Sequence, residues 1–354
     1  MEEKKDTLGM LDLVIRPGFC VKENQIIKVN QAAESLFITP GTDVRPLLLT
    51  GSEEYAAFTG GCLYLTLNLS SHSCGASVTR VDDIDVFLLE QESDNGELRS
   101  MALAARELRE PLTNVMITAD SLFPLCATEE SPRTAEQVAR LNRGLFQILR
   151  IIGNMSDAER CAAVSHQETV DIPALFAEFF EKAETLVSHT GITLTYEGPD
   201  QPVYGLADRE QLERAVLNIL SNAIKFTPKG GTVTAKLTRS GRMLRLSVTD
   251  SGSGIAQSVR SSVFSRYLRQ PALEDSRYGI GLGMVLIRTA AAHHGGAVLI
   301  DQPDGAGTRI TMTMAIRQSK QATLRSNVLR VDYAGERDHG LIELSECLPT
   351  ELYE

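Results

Sequence analysis

Two segments near the middle of the chain carry apolar residues spaced alternately by four and three positions, the pattern of helices that pack along a seam. In the first segment these residues are Met101, Ala105, Leu108, Leu112, Val115, Ala119 and Leu122. In the second they are Val138, Leu141, Leu145, Ile148, Ile152 and Met155. A Pro-containing stretch, 123–132, predicts a turn between two antiparallel helices. Because one hairpin buries too little apolar surface, we expect two copies of the chain to form a four-helix bundle through helices 98–125 and 133–163.

Short apolar runs and turn residues alternate on the N-terminal side of this hairpin. The runs span residues 11–15, 26–29, 63–67, 76–79 and 84–89. They predict a mixed domain over residues 8–90 with several strands in one antiparallel sheet. An acidic stretch, 90–97, marks its boundary with the hairpin domain, which we place at 98–165.

Helix-like and strand-like patterns are mixed on the C-terminal side. Helices are predicted over 172–187 and 208–224, and strands over 233–237, 244–248, 297–300 and 309–316. This mixture predicts an α/β sandwich over residues 168–317, followed by a loosely attached tail over 318–354. The expected fold class is therefore an α+β chain of several domains.

Charge and composition argue against several classes of protein. The chain has 35 Lys and Arg residues against 46 Asp and Glu residues, a net charge of -11, which disfavours nucleic acid as a partner. No apolar run approaches the roughly 18–20 residues of a membrane span, and residues 1–6 lack the apolar segment of a signal peptide, so we expect a cytoplasmic protein. The cysteines and histidines show no metal-binding spacing.

Polar side chains recur along one face of the predicted helix 208–224 and just beyond it. Asn218, Asn222 and Lys225 are spaced by four and three residues, so a helix places them together. An amide oxygen suits Mg²⁺, and an ammonium group suits phosphate oxygens, so this face is a candidate site for a metal-bound triphosphate. The alternative is the solvated polar face of an amphipathic helix.

Three glycine-containing clusters follow along the chain. Residues 250–255, DSGSGI, follow a predicted strand, where glycines admit a flat ring and a carboxylate can accept a hydrogen bond from an exocyclic amine such as that of adenine. Residues 279–284, GIGLGM, open an apolar helix whose N-terminal amides favour phosphate. Residues 305–308, GAGT, precede the last predicted strand. Each cluster alone is also typical of an ordinary turn.

Taken together, the order and spacing of these four clusters resemble the ATP-binding domain of sensor histidine kinases, in the superfamily shared with gyrase and the Hsp90 chaperones. The resemblance implies ATP and Mg²⁺ as ligands, with Asn222 binding Mg²⁺, Lys225 contacting phosphate and Asp250 contacting adenine. It implies a mobile lid over residues 270–278, after an F box at 263–269. The ATP-binding residues that it implies are Asn218, Asn222, Lys225, Phe226, Asp250, Gly252, Gly254, Ile255, Arg269, Gly279, Gly281, Leu282, Gly283 and Thr308.

The hairpin resembles the dimerisation and phosphoacceptor domain of the same family, but it departs from the family's H box, the segment that contains the acceptor histidine. Arg106 stands where the family has its acceptor histidine, followed by the acidic Glu107. A guanidinium group stays protonated and offers no nucleophilic lone pair, so autophosphorylation at this position is not expected. Glu110 replaces the Thr or Asn that positions water for dephosphorylation of the partner receiver. No catalytic residue is therefore assigned.

The N-terminal region is similar to a PAS sensor fold, through the strand, turn and helix predicted over residues 24–36. We predict no cofactor for it.

The sequence thus predicts a histidine-kinase-like signalling protein of a two-component system that binds Mg-ATP and forms a homodimer, a pseudokinase at its own H box. One alternative is phosphorylation of a histidine on a partner kinase, since this chemistry rests on positioning and electrostatics. Another is a scaffold that binds a response-regulator receiver domain or a partner histidine kinase through Arg106 and Arg109. A gyrase-type ATPase is disfavoured because Asn218 cannot act as a base.

Overall fold

The computed structural model describes residue 9 and residues 11–69, 72–90, 93–127, 132–163, 167–255, 263–264, 282–303, 307–318 and 338–353. The N-terminal elements are β1 (Gly18–Lys22), β2 (Gln25–Val29), α1 (Gln31–Glu34), α2 (Ser52–Ala56), β3 (Cys62–Asn68), β4 (Ser73–Val81) and β5 (Ile84–Leu89). Two long helices follow, α3 (Ser93–Ala127) and α4 (Pro132–Ala163).

The C-terminal half continues with β6 (Glu168–Asp171), α5 (Ile172–Val187), β7 (Thr193–Glu197), β8 (Tyr204–Ala207), α6 (Arg209–Phe226), β9 (Thr232–Ser240) and β10 (Met243–Asp250). It ends with α7 (Gly283–His293), β11 (Val298–Asp301), β12 (Thr308–Ala315), α8 (His339–Glu343) and a 3-10 turn at Thr350–Tyr353.

The N-terminal strands form an antiparallel sheet in the order β2-β1-β5-β4-β3, as the alternating runs predict. Its core includes Phe19 and Phe87, whose rings stack with centroids 4.7 Å apart. The apolar run 11–15 is not a strand, and Ile15 is 88% exposed. Pro17 lies between this run and β1, and its missing N–H cannot donate to a strand pairing.

The two long helices pack against each other as a hairpin and bury alternate positions of the predicted seam. Leu112 on α3 and Ile152 on α4 are buried, whereas Leu108 is 51% and Ile148 46% exposed. Among the described seam residues, one set therefore packs within the chain and another faces outward. The predicted turn 123–132 is too long, because α3 continues to Ala127 and α4 begins at Pro132, where proline suits the first helical position.

The helices of the C-terminal half pack against the strands β7 and β9–β12. The predicted helix 172–187 is confirmed as α5, and α6 begins after Asp208, whose carboxylate accepts a hydrogen bond from the Gln211 N–H at 3.2 Å. This capping bond explains why the helix begins at Arg209. The sheet order here is β11-β12-β10-β9-β7, with β7 parallel to β9.

The two sheets join edge to edge, which the sequence does not predict. β3 pairs antiparallel with β11, with Tyr64 opposite Val298, so the ten strands form one continuous sheet. Arg288 of α7 stacks over the Tyr64 ring at 4.8 Å and forms an ion pair with Glu90. The pairing satisfies the backbone groups of two strands that would otherwise be open edges.

The C-terminal segment 338–353 is docked rather than loosely attached, contrary to the prediction for this part of the tail. Ile342, Leu344, Leu348 and Tyr353 are each at most 2% exposed. They pack in the same core cluster as residues of α4 and α6, and the ring of Tyr353 meets that of Phe146 edge-on at 5.3 Å. Burial of these apolar side chains accounts for the docking. No helix in the described part of the chain is long and apolar enough to cross a membrane.

Candidate functional site

Asp250 lies at the end of β10, where it is 8% exposed. Its Oδ1 accepts hydrogen bonds from the backbone N–H of Gly252 at 2.9 Å and of Thr308 at 3.1 Å. Burial raises the pKa of this carboxyl group, and the hydrogen bonds from Gly252 and Thr308 offset only part of that rise. The structure thus holds one oriented, largely desolvated carboxyl group at the position predicted to contact adenine.

Glycine is required at two positions around Asp250. A Cβ added at Gly252 would collide with the carbonyl oxygen of Phe226, at the end of α6. Gly307 has a φ of 67°, and a Cβ there would collide with the carbonyl oxygen of Asp250. The Gly307 N–H also donates to the Gly252 carbonyl at 3.1 Å. The end of α6, the segment 250–255 and the start of β12 therefore meet at one place, which we call the Asp250 corner.

Two of the three polar residues predicted on α6, Asn218 and Asn222, lie against the start of α7. Asn218 is 1% exposed, and a Cβ added at Gly283 would lie only 2.8 Å from its Oδ1. Asn222 is half-buried, with its Nδ2 3.9 Å from the Sδ of Met284. The interpretation of this face as solvated is therefore wrong at Asn218.

Two acidic residues of the C-terminal segment, which sequence reasoning did not select, reach the same helix. Glu343 Oε2 accepts a hydrogen bond from Asn218 Nδ2 at 3.4 Å, and Glu346 Oε2 lies 3.1 Å from Lys225 Nζ. The apolar neighbours Leu341 and Ile342 are the sequence signal for burial here, but they do not say where the segment docks.

Of the remaining residues predicted to bind ATP, some lie in parts of the chain that the structure describes and others do not. Ile255 packs against the main core, and Leu282 is 3% exposed beside Val285 at the start of α7. Gly254 has a φ of 75°, typical of glycine in a turn. Arg269, Gly279, Gly281 and the predicted lid 270–278 lie outside the described residues, as does most of the predicted F box.

Arg106 and Glu107 are both exposed on α3, directly after the fully buried Ala105. The arginine therefore faces outward, as its place in the seam pattern predicts. Among the described residues of the hairpin, no contact requires arginine at this position.

The two histidines at the end of α7, His293 as its last residue and His294 directly after it, lie in a structural environment. His294 accepts a hydrogen bond on Nε2 from the Asp208 N–H at 3.0 Å, and its Nδ1 lies 2.7 Å from the Ala290 carbonyl oxygen. These partners require the neutral tautomer with its proton on Nδ1. Burial lowers the pKa of His294, which is consistent with a neutral ring that holds the start of α6 in place.

Comparison with known proteins assigns the region around the Asp250 corner to a known superfamily. Residues 207–318 match the family model described as histidine kinase-, DNA gyrase B- and HSP90-like ATPase. This range includes α6, the 250–255 segment, α7 and β12, so it covers every element that meets at the corner.

The similarity to known proteins extends beyond residues 207–318. An uncharacterised sensor-like histidine kinase of Rhizobium meliloti is 29% identical over 73% of this chain and 52% of its own length. The adaptive-response sensory kinase SasA of Crocosphaera subtropica is 26% identical over 66% of this chain and 64% of its own. The chain thus spans between half and two thirds of the length of these relatives.

A crystal structure of full-length ShkA in complex with AMPPNP matches 70% of this chain and 54% of that one, with 22% identity and a TM-score of 0.51. At this identity the likeness concerns the fold.

Proposed function

We propose that this chain, a member of the sensor histidine kinase family, binds Mg-ATP at the Asp250 corner and cannot phosphorylate itself at the position of the usual acceptor histidine. The observation that carries the proposal is the buried Asp250 carboxyl group, whose Oδ1 is held by two backbone amides where closely packed glycines bring three chain segments together. A carboxylate in this setting accepts a hydrogen bond from an exocyclic amine, the group that distinguishes adenine from guanine at that edge of the ring.

The metal-bound phosphates would lie between α6 and the start of α7. Asn222 offers an amide oxygen, and Lys225 offers an ammonium group at the end of the same helix. Mg²⁺ binds few protein ligands and completes its shell with water and phosphate oxygens, so one amide ligand suits it. Among the described residues no group of three or more His, Cys, Asp or Glu side chains could hold a metal ion. The proposed ion would be held by Asn222 together with the nucleotide's phosphates.

The acceptor chemistry is missing at Arg106. Transfer of the γ-phosphoryl group to a histidine forms a P–N bond with a neutral ring nitrogen and releases ADP. A guanidinium group has no such nitrogen at physiological pH. Glu107 would orient a histidine and accept its proton, but the guanidinium group beside it has no lone pair for a nucleophilic attack.

We also propose that two copies of the chain pair through the exposed half of the hairpin seam. Leu108 and Val115 on α3 are each 51% exposed, and Leu141 and Ile148 on α4 are 52% and 46% exposed. A second copy would present the same residues, so one isologous contact would bury both stripes. Residues 98–165 would then be the dimerisation domain, between a PAS-like sensor over 8–90 and the ATP-binding domain over 168–317.

A second candidate function is phosphorylation of a partner's histidine. The Asp250 corner favours it over a scaffold in which the ATP site has no use, because the two required glycines and a buried carboxyl group occur together there. The natural receiver of the signal in either case is a response-regulator receiver domain or a partner histidine kinase.

Titration of the full chain with Mg-ATP by calorimetry tests the proposed site. We expect Asp250→Asn to weaken binding by about 10-fold to 100-fold, because a hydrogen bond to a charged group is worth about 1.5–3 kcal/mol. Asp200→Asn, at an exposed position, is the matched control and should bind like the parent. Equal affinity of all three proteins would overturn the assignment of Asp250.

A further inference from the structure

Asn218 and Lys225, two of the three polar residues proposed to face the nucleotide, already contact carboxylates of the chain's own C-terminal segment. Asn218 Nδ2 donates to Glu343 Oε2 at 3.4 Å, and Lys225 Nζ lies 3.1 Å from Glu346 Oε2. Carboxylate oxygens and phosphate oxygens are the same kind of partner for an ammonium group. The C-terminal acids therefore occupy groups on α6 that the phosphates of ATP would use.

Two arginines complete a compact charge cluster around these acids. Arg150 of α4 contacts both, with Nε 3.4 Å from Glu343 Oε2 and Nη1 3.1 Å from Glu346 Oε1. Arg214 of α6 donates from Nε to Glu343 Oε1 at 3.2 Å. Burial alone would raise the pKa of Glu346, yet Arg150 and Lys225 hold it below its ordinary value, so this residue is ionised at neutral pH.

The two acids differ in how readily water can replace their partners. Glu343 is 0% exposed and lies between two guanidinium groups, so removing it would leave buried positive charge. The side chain of Glu346 is 28% exposed and that of Lys225 is 11% exposed. Glu343 thus holds the segment in place, whereas the Glu346–Lys225 pair is the contact that a competing anion can displace.

The same segment is fixed to the second long helix. Arg143 of α4 donates from Nε to the carbonyl of Ser345 at 2.9 Å and from Nη2 to that of Glu346 at 3.1 Å. Asn142 donates to the Tyr353 carbonyl at 2.9 Å. Docking of the segment therefore ties α6, on which the proposed nucleotide site is built, to α4 of the hairpin.

We propose that residues 338–353 form an autoinhibitory segment, whose Glu346 competes with the phosphates of Mg-ATP for Lys225 and whose docking holds α6 against α4. This inference rests on the proposed function, since it needs ATP to bind at the Asp250 corner. A phosphate that approaches Lys225 is repelled by the Glu346 carboxylate already in contact with the ammonium group, so phosphate binding is favoured where Glu346 has moved away. Binding of nucleotide and docking of the segment are then linked with negative cooperativity, each weakening the other by the same factor.

Calorimetric titration with Mg-ATP of the full chain and of two matched variants tests the competition. Glu346→Gln keeps the shape of the side chain and removes its charge, whereas Glu351→Gln makes the same change at an exposed position in the 3-10 turn. We expect Glu346→Gln to bind Mg-ATP at least about fivefold more tightly than the parent, the lower end of typical coupling between two sites. Glu351→Gln should bind like the parent. Equal affinity of all three would overturn the inference and leave the proposed ATP site intact.

Hydrogen exchange on the parent chain gives a second readout that does not depend on any variant folding correctly. Saturating Mg-ATP should speed amide exchange in residues 341–348, and Mg-ADP should do so less, because it brings fewer phosphate charges. Unchanged exchange in this segment while Mg-ATP binds would contradict the inference alone. If neither the parent nor Glu346→Gln binds Mg-ATP, the proposed function fails and the inference falls with it.

Discussion

The Asp250 corner and the surface around Arg106 differ in how firmly the fold specifies their residues. At the corner, three chain segments converge so closely that an added methyl group at Gly252 or Gly307 would collide with backbone. Arg106 is exposed on a helix whose packing depends on its neighbour Ala105. The comparison indicates that the fold itself fixes the glycines and the carboxyl group of the corner, whereas a residue on the exposed face of α3 can be replaced without loss of stability.

The largest expected effect is at Gly307. We expect Gly307→Ala to lower the free energy of unfolding by about 1–3 kcal/mol through its positive φ, with a further cost of about 1–3 kcal/mol from overpacking against Asp250. Urea denaturation of the full chain measures the change. Gly41→Ala is the matched control, because Gly41 also has a positive φ, 85°, but open space where its Cβ would lie. If the two variants lost the same stability, close packing at the corner would not be the cause.

A change of intermediate size is expected in the pH dependence of nucleotide binding. In the proposed site the adenine amine donates to the ionised form of Asp250, and burial raises the pKa of that group above its ordinary value. Mg-ATP affinity should therefore fall on acidification at a higher pH than an ordinary aspartate, with a pKa of about 3.9, would cause. The free energy of unfolding depends on pH in the opposite direction. Because the pKa is raised in the folded state, the protonated folded form is favoured, and ionisation of Asp250 lowers stability as the pH rises through its folded-state pKa.

Mg-ATP affinity measured across this pH range on the parent and on Asp250→Asn isolates the contribution of the Asp250 carboxyl group to binding. The parent should lose affinity with acid in a step that the variant lacks. Identical pH profiles would show that another group controls the loss.

The smallest expected effect is at Arg106. Arg106→Ala should change the free energy of unfolding by no more than about 0.5 kcal/mol, as is usual for exposed positions away from specific contacts. It should also leave Mg-ATP affinity unchanged. A loss of more than about 1 kcal/mol in urea denaturation would mean that the arginine has a structural role and would remove the contrast between the two regions.

The elements that the sequence predicts best are those specified by local spacing. The seam pattern indicates both long helices, and Asn218 and Asn222 of α6 both lie against the start of α7, as their spacing of four predicts. The predicted turn between the helices is less accurate, because a proline is compatible with the first position of a helix as well as with a break between helices.

Features that depend on distant pairing do not appear in the sequence pattern. β3 and β11 are far apart in the chain, and nothing in their residues says that these two edges meet. Glu343 pairs with Arg150 and Arg214, which precede it by 193 and 129 residues. An acidic residue among apolar ones in a C-terminal segment is usually solvated, so only the fold reveals that this one is buried among arginines.

Labelling with γ-labelled ATP and Mg²⁺ tests the central claim most directly, with the parent and an Arg106→His variant compared at equal concentrations. The account predicts acid-labile, base-stable label on the Arg106→His chain alone, because the ATP site is intact and only the acceptor nitrogen is missing. Such label on the parent chain would contradict it by revealing another acceptor, and absence of label from both chains would contradict the claim that the site can transfer phosphate.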